Sequence, residues 1–274
     1  MEFLTLRASD GASTRIASHG AHVCSWIPAQ GKEQLFLSQR SAFTSDSAIR
    51  GGIPVIFPQF ATLGPLPRHG FARTAKWKLQ SNEMHPDGSA VAVFCLQENI
   101  ARLTIWPHVF TARLTVRVYA NTLQVSLEIE NRGDTPFSFT AALHSYFALA
   151  DLAQARLHGL QGVVYRDSLC DRNDVLETAE YLHHIQEIDR IYGPLTQPLR
   201  LEQAQQQQLH IESSGFTDAV VWNPGADAAV KLPDLAAGEE QRMLCVEAAI
   251  VRQPVVLAPG TRWNGSQTMT LSDQ

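Results

Sequence analysis

Leu114-Thr115-Val116-Arg117-Val118-Tyr119-Ala120-Asn121-Thr122-Leu123-Gln124-Val125-Ser126-Leu127-Glu128-Ile129 decides the fold class. Apolar Leu114, Val116 and Val118 alternate with Thr115 and Arg117, and Leu123, Val125, Leu127 and Ile129 alternate with Gln124, Ser126 and Glu128. Successive side chains of a strand point to opposite faces, so each run predicts a strand with one buried and one wet face. The interruption at Ala120-Asn121-Thr122 joins them as an antiparallel hairpin. Short runs recur at Val91–Leu96, Phe137–Thr140, Ala219–Trp222 and Met243–Val246, punctuated by turn-forming clusters such as His85-Pro86-Asp87-Gly88 and Asn223-Pro224-Gly225. Many short strands with such punctuation predict an all-β sandwich or barrel. Long amphipathic helical stretches are scarce, and Glu202–Gln208, rich in glutamine, fits a short helix or a polar connector.

Of 274 residues, 45% are hydrophobic and 18% charged, below the charged fraction of about 25% usual for soluble domains, which excludes general disorder. Large β units often run to roughly 200–250 residues, and no repeat or linker-like shift in composition divides the chain, so residues 1–274 are expected to form a single domain. The net charge of −5 and pI near 6.0 provide no global positive field for nucleic acid or an anionic membrane. An anionic ligand would have to be met by a local basic cluster. The opening MEFLTLRASDG has neither a basic leader nor an apolar core, and no apolar run nears the roughly 18 residues of a membrane span, so a cytoplasmic protein is expected. Cys24, Cys95, Cys170 and Cys245 show no paired or metal-type spacing and predict reduced, mostly buried thiols.

Three segments carry chemistry. Arg50-Gly51-Gly52-Ile53-Pro54-Val55-Ile56-Phe57-Pro58-Gln59-Phe60, with Arg68-His69-Gly70-Phe71-Ala72-Arg73 after it, concentrates arginines and glycines in an acidic chain. Glycine permits close backbone approach and the guanidinium fork suits phosphate or carboxylate oxygens, although a structured loop with solvated or ion-paired arginines has the same composition. Ala141-Ala142-Leu143-His144-Ser145-Tyr146-Phe147 looks like a strand with a histidine in an apolar setting, either a proton-transfer group or a hydrogen-bonded core residue. Met243-Leu244-Cys245-Val246-Glu247-Ala248-Ala249 places one carboxylate among small and apolar neighbours, where it must find a partner or line a cavity. A hydrolase G-x-S-x-G elbow, a P-loop, a G-x-G-x-x-G turn and an H-E-x-x-H helix are all lacking. His183-His184, adjacent on a strand, would point to opposite faces, so no metal site is expected.

Arg50–Phe60, His69–Arg73, Trp106-Pro107-His108, His144–Phe147, Ile188-Asp189-Arg190-Ile191-Tyr192, Val221-Trp222-Asn223-Pro224 and Cys245-Val246-Glu247 follow one another in an order that resembles the glucose-6-phosphate 1-epimerases of the aldose 1-epimerase superfamily. The resemblance spans most of the chain. It implies a large antiparallel β-sandwich of the galactose mutarotase-like type, anomer interconversion of an aldohexose 6-phosphate, and no cofactor. It places the catalytic pair on His144 and Glu247 and the substrate contacts on Arg50, Arg73 and Asp189, with His69 beside them. Arg68 departs from the pattern, since a glutamine or small residue is common there; it either contacts phosphate or faces solvent.

On this reading the partner is a small-molecule sugar phosphate, and a monomer is expected. Glu247 as carboxylate would take the anomeric proton while protonated His144 protonates the ring oxygen; because the roles exchange on reclosure, the resting proton can sit on either. Trp222 would stack on the sugar or fill the core. The competing readings are a non-catalytic sugar-phosphate binder, which needs no acid–base pair, and a free-aldose 1-epimerase. A glycoside hydrolase usually needs two carboxylates across the scissile bond, and the matched pair here is one histidine and one glutamate.

Overall fold

The hairpin forms where the alternation places it, with strands Phe110–Tyr119 and Thr122–Asn131 joined at Ala120, whose φ of 46° suits the tight turn. A computed structural model describes residues 1–203 and 208–272, and the stretch 204–207 within the glutamine-rich run lies outside the described residues. The ends of that run, Glu202 and Gln208, sit opposite each other at the ends of paired strands Leu199–Glu202 and Gln208–Ser214.

The hairpin is central to a nine-stranded sheet that runs, in spatial order, Tyr181–Leu182, Arg156–His158, Leu199–Glu202, Gln208–Ser214, Arg262–Ser272, Thr122–Asn131, Phe110–Tyr119, Ala90–Gln97 and Lys78–Met84. An eight-stranded sheet runs Arg172–Leu176, Val164–Asp167, Glu187–Tyr192, Asp218–Pro224, Met243–Leu257, Phe137–Leu143 and Val55–Ile56, with Tyr146–Ala148 also paired to Met243–Leu257. Phe3–Arg7, Ser13–Ala17 and His22–Ile27 make a three-stranded third sheet. All these strand pairings are antiparallel.

Val116, Val125 and Leu127 from the nine-stranded sheet meet Phe139, Leu143, Val221 and Val246 from the eight-stranded sheet in one buried core. Each such side chain contributes about 1.5–3 kcal/mol on leaving water. Met243–Ile250 is buried at every position rather than every second one. Leu244, Val246 and Ala248 join the sandwich core, while Cys245 and Ala249 belong to separate clusters on the other face, with Glu247 between them. The strand extends far beyond the expected Met243–Val246, to Leu257. Helices are short, at Ile100–Ile105 and Gly225–Ala229, and no helix among the described residues is long and apolar enough to cross a membrane. All four cysteines are unpaired, but only Cys24 and Cys245 are buried; Cys95 is intermediate and Cys170 exposed, because it lies in the turn after Val164–Asp167.

Candidate active site

All seven expected site residues, Arg50, Arg68, His69, Arg73, His144, Asp189 and Glu247, line one cavity of about 420 Å³ on the outer face of the eight-stranded sheet. That size falls in the range of about 300–1,000 Å³ usual for small-molecule sites. Another cavity, of about 480 Å³, lies among Phe3, Leu4, Trp77, Leu79 and Phe94. Its charged groups include Glu2 and Lys76, which pair with each other at 3.1 Å, so it has no comparable convergence of titratable groups.

The pairing of strands sets out the cavity floor. Asp189 lies opposite Trp222, Trp222 opposite Cys245 and Cys245 opposite Tyr146; one step along, Ile191 lies opposite Val220 and Val220 opposite Glu247. The segment Ala141–Phe147 is not one continuous strand, as its pattern predicts, but stops after Leu143 and resumes at Tyr146. Leu143 faces Ala248 and Tyr146 faces Cys245, so His144 comes opposite Glu247 at the break. The His144 amide is diverted to Pro54 O at 3.0 Å.

His144 Nε2 is 3.3 Å from Glu247 Oε1, with the histidine 8% and the glutamate 1% exposed. His144 Nδ1 and Glu247 Oε2 are buried without a hydrogen-bond partner. The imidazole stacks on Tyr146 at 4.8 Å and 9° and meets the edge of Trp222 at 6.0 Å. Burial holds His144 well below the usual imidazole range, assisted by neighbouring His69, Arg50 and Arg73. Burial likewise pushes Glu247 well above the usual carboxyl range, with the charge of Asp189 adding to the effect. Both directions favour the neutral forms, an uncharged imidazole beside a protonated carboxyl.

The arginines surround this pair. Arg50 donates to Tyr146 Oη at 3.0 Å and to Asp234 Oδ1 at 3.1 Å, while its Nε is buried without a partner. Arg73 donates to Arg68 O at 3.1 Å and also keeps a buried, unpartnered Nε. Arg68 is exposed at the rim. His69 takes φ +67° and accepts from the Ala61 amide through Nδ1 at 3.2 Å. Burial, then Arg73, Arg68 and Arg50, lower its pKa to about 3, so the neutral ring carries its hydrogen on Nε2. Burial raises the Asp189 pKa, against a hydrogen bond from Ser168 and the charge of Arg68.

Gly52 does not offer its amide to the cavity as the glycine-rich composition suggests. It donates to Phe36 O at 2.7 Å, and a Cβ there would lie 2.2 Å from Val23 O. Its role is close backbone packing at φ +59°. Tyr146, Arg166, Ser168 and Asp234 also line the cavity. Tyr146 lies in a segment the sequence singled out, whereas Asp234 sits in a turn between Pro233 and Leu235 with no distinguishing pattern. Among the described residues no group of three His, Cys, Asp or Glu side chains could hold a metal ion.

The family model described as aldose 1-epimerase matches residues 2–270. A protein of Cenchrus ciliaris named "putative glucose-6-phosphate 1-epimerase" is 34% identical over 97% of this chain and 83% of its own length. One of the same name from Escherichia coli is 33% identical over 85% of this chain and 78% of its own. The crystal structure of a "putative mutarotase" from Salmonella typhimurium superposes with a TM-score of 0.91 at 27% identity, covering 99% of this chain and 90% of that one. The galactose mutarotase-like sandwich is thus the fold of this protein, and with the family match over nearly its whole length the chain belongs to the aldose 1-epimerase family, as an isomerase.

Proposed function

We propose that the protein interconverts the α and β anomers of an aldohexose 6-phosphate, glucose 6-phosphate foremost. The observation that carries this reading is the His144–Glu247 contact at 3.3 Å in a cavity also lined by Arg50, Arg68, Arg73 and Arg166. The pair supplies proton transfer, and the guanidinium groups suit the oxygens of a phosphate dianion. The names of the relatives agree with that substrate class.

With the resting proton on Glu247, neutral His144 takes the proton of the C1 hydroxyl. The C1–O5 bond breaks and Glu247 protonates O5, giving the open-chain aldehyde. An imidazolium and a carboxylate then stand side by side, so the charges created by the reaction offset each other. Rotation about C1–C2 exposes the other carbonyl face. Reclosure returns one proton from His144 to O1 and one from O5 to Glu247, restoring both groups. These roles are the reverse of the carboxylate base and imidazolium acid first expected, because burial disfavours both charged forms. Each positioned transfer group is typically worth about 10²–10⁴ in rate. No step draws on a cofactor.

Anomer exchange followed by NMR or polarimetry, with the spontaneous rate subtracted, tests the reading on glucose 6-phosphate beside free glucose and galactose. We expect kcat/KM for the phosphorylated sugar to exceed that for free glucose by at least about two orders of magnitude, since a neutral ligand cannot supply the charge-assisted contacts that a phosphate makes with the guanidinium groups. Equal rates would assign a free-aldose 1-epimerase. Binding without exchange would assign a sugar-phosphate binder.

A further inference from the structure

The ladder that brings His144 against Glu247 is defective at the neighbouring step. In an antiparallel pair, residues alternate between those that exchange two backbone hydrogen bonds and those that exchange none, whose side chains stand closer. Val246 N–H donates to Ser145 O at 3.1 Å, so Ser145 and Val246 form the bonded step and His144 and Glu247 the close, unbonded one. The reciprocal bond is missing. Ser145 N–H turns back onto Leu143 O at 2.9 Å, which leaves the Val246 carbonyl without its cross-strand donor in the fully buried interior.

A side chain from the other sheet makes up the deficit. Gln267, 1% exposed on strand Arg262–Ser272 of the nine-stranded sheet, donates from Nε2 to Val246 O at 3.0 Å. Its Oε1 accepts from Ser145 Oγ at 2.5 Å. The alternation of side chains explains why the bridge comes from there. His144 and Glu247 point into the cavity, so Ser145 and Val246 point into the sandwich, and only the facing sheet can span the break without entering the site. A buried carbonyl left unmatched is unfavourable, so without Gln267 any shift of the two strands that brought Val246 O a donor would be favoured.

Resting on the reading of His144 and Glu247 as the acid–base pair, we infer that Gln267 is a positioning residue for the reaction: its amide stands in for the absent ladder bond and holds the strand segments bearing that pair at proton-transfer distance. Gln267 does not line the cavity, and its side chain hydrogen-bonds Ser145 and Val246 rather than the pair itself. Its contribution is therefore to kcat rather than to sugar-phosphate affinity. Misplacement of reacting groups by about 1 Å can cost on the order of 10²-fold in rate.

The test is steady-state anomer exchange of glucose 6-phosphate by three variants, with melting temperatures measured alongside. Gln267→Met removes both bonds at nearly constant volume and is expected to lower kcat about tenfold or more while KM stays within about twofold. Ser145→Ala keeps the bond to Val246 and is expected to lower kcat about threefold at unchanged KM. In Ser145→Ala/Gln267→Met no hydroxyl is stranded, so the melting temperature should recover relative to Gln267→Met while kcat stays low. A kcat that recovers together with the melting temperature, or a Gln267→Met enzyme within twofold of wild-type kcat, overturns the inference. If Gln267→Met does not fold, unchanged kcat in Ser145→Ala overturns it instead. Failure of the wild type to exchange anomers, or full activity in His144→Ala, would overturn the acid–base reading as well. An active wild type, an inactive His144→Ala and an unimpaired Gln267→Met would remove only the role given to Gln267.

Discussion

Phe110–Asn131 and Met243–Val251 are both antiparallel and both central to their sheets, yet only the first shows alternating burial. The hairpin has water on its outer face, where Arg113 bridges Glu128 and Glu130, and Arg262 bridges Glu130 at 3.2 Å. Met243–Val251 has the sandwich on one face and apolar clusters and the cavity floor on the other, so apolar residues run on without relief. A carboxylate in the first is ordinary surface chemistry, of little energetic consequence. A carboxylate in the second is costly unless it is paired or takes up a proton.

The largest effect that separates the two regions is expected at the pair. His144→Ala and Glu247→Gln should each lower kcat by about 10²-fold or more with circular dichroism unchanged; retention of more than roughly a tenth of wild-type turnover in a folded variant would remove the distinction. In the hairpin, Leu127→Ala should cost about 2–5 kcal/mol in chemical denaturation and leave kcat of the folded enzyme alone. Gln124→Ala, on the half-exposed face of the same strand, should stay within about 0.5 kcal/mol. If Leu127→Ala instead depressed kcat at full folding, the two sheets would not divide stability from chemistry.

Arg73→Ala sharpens the contrast at the cavity rim. Loss of a charge-assisted contact of about 1.5–3 kcal/mol should reduce kcat/KM for glucose 6-phosphate by roughly 10- to 100-fold. Free glucose should be nearly unaffected, and equal losses on both sugars would return Arg73 to a structural role. The pH response falls on stability rather than on turnover. Burial lowers both His22 and His69 to about 3, whereas in the unfolded chain they titrate near 6.5. Between those values the unfolded state binds more protons, so stability falls as pH falls, by about 2 kcal/mol per histidine from pH 7 to 5. Denaturation curves at pH 7 and pH 5 that coincide would contradict this. Treatment with EDTA should change activity least of all, and loss restored by zinc or manganese would refute the proposed metal-free acid–base mechanism.

The hairpin was legible because water on one face writes polarity into every second residue. The full length of Met243–Leu257 was not, because burial on both faces erases the period, and Val246 marks no boundary. Glu247 was legible for the same reason that its strand was obscure: it is the one charged residue between Met243 and Val251. The break at His144-Ser145 was hidden, since nothing in Leu143-His144-Ser145-Tyr146 signals that an amide turns back on its own strand. The partnership of Arg50 with Asp234 joins residues 184 apart in the chain, and neither residue type announces its partner. Gln267 illustrates the same difficulty, as a polar residue at an inward position whose purpose lies across the sandwich.

His144 and Glu247 are spaced by a strand pairing, whereas Arg68, His69 and Arg73 stand in the connection after Val55–Ile56 and Asp234 in the turn after Gly225–Ala229. Heritable change therefore meets two kinds of substrate. Connections accept insertion and exchange readily, while a paired, doubly buried strand does not. On the proposed reading, a lineage built on this chassis can trade one anionic sugar for another, or for a neutral one, by redrafting its rim, and inherit the proton relay intact each time.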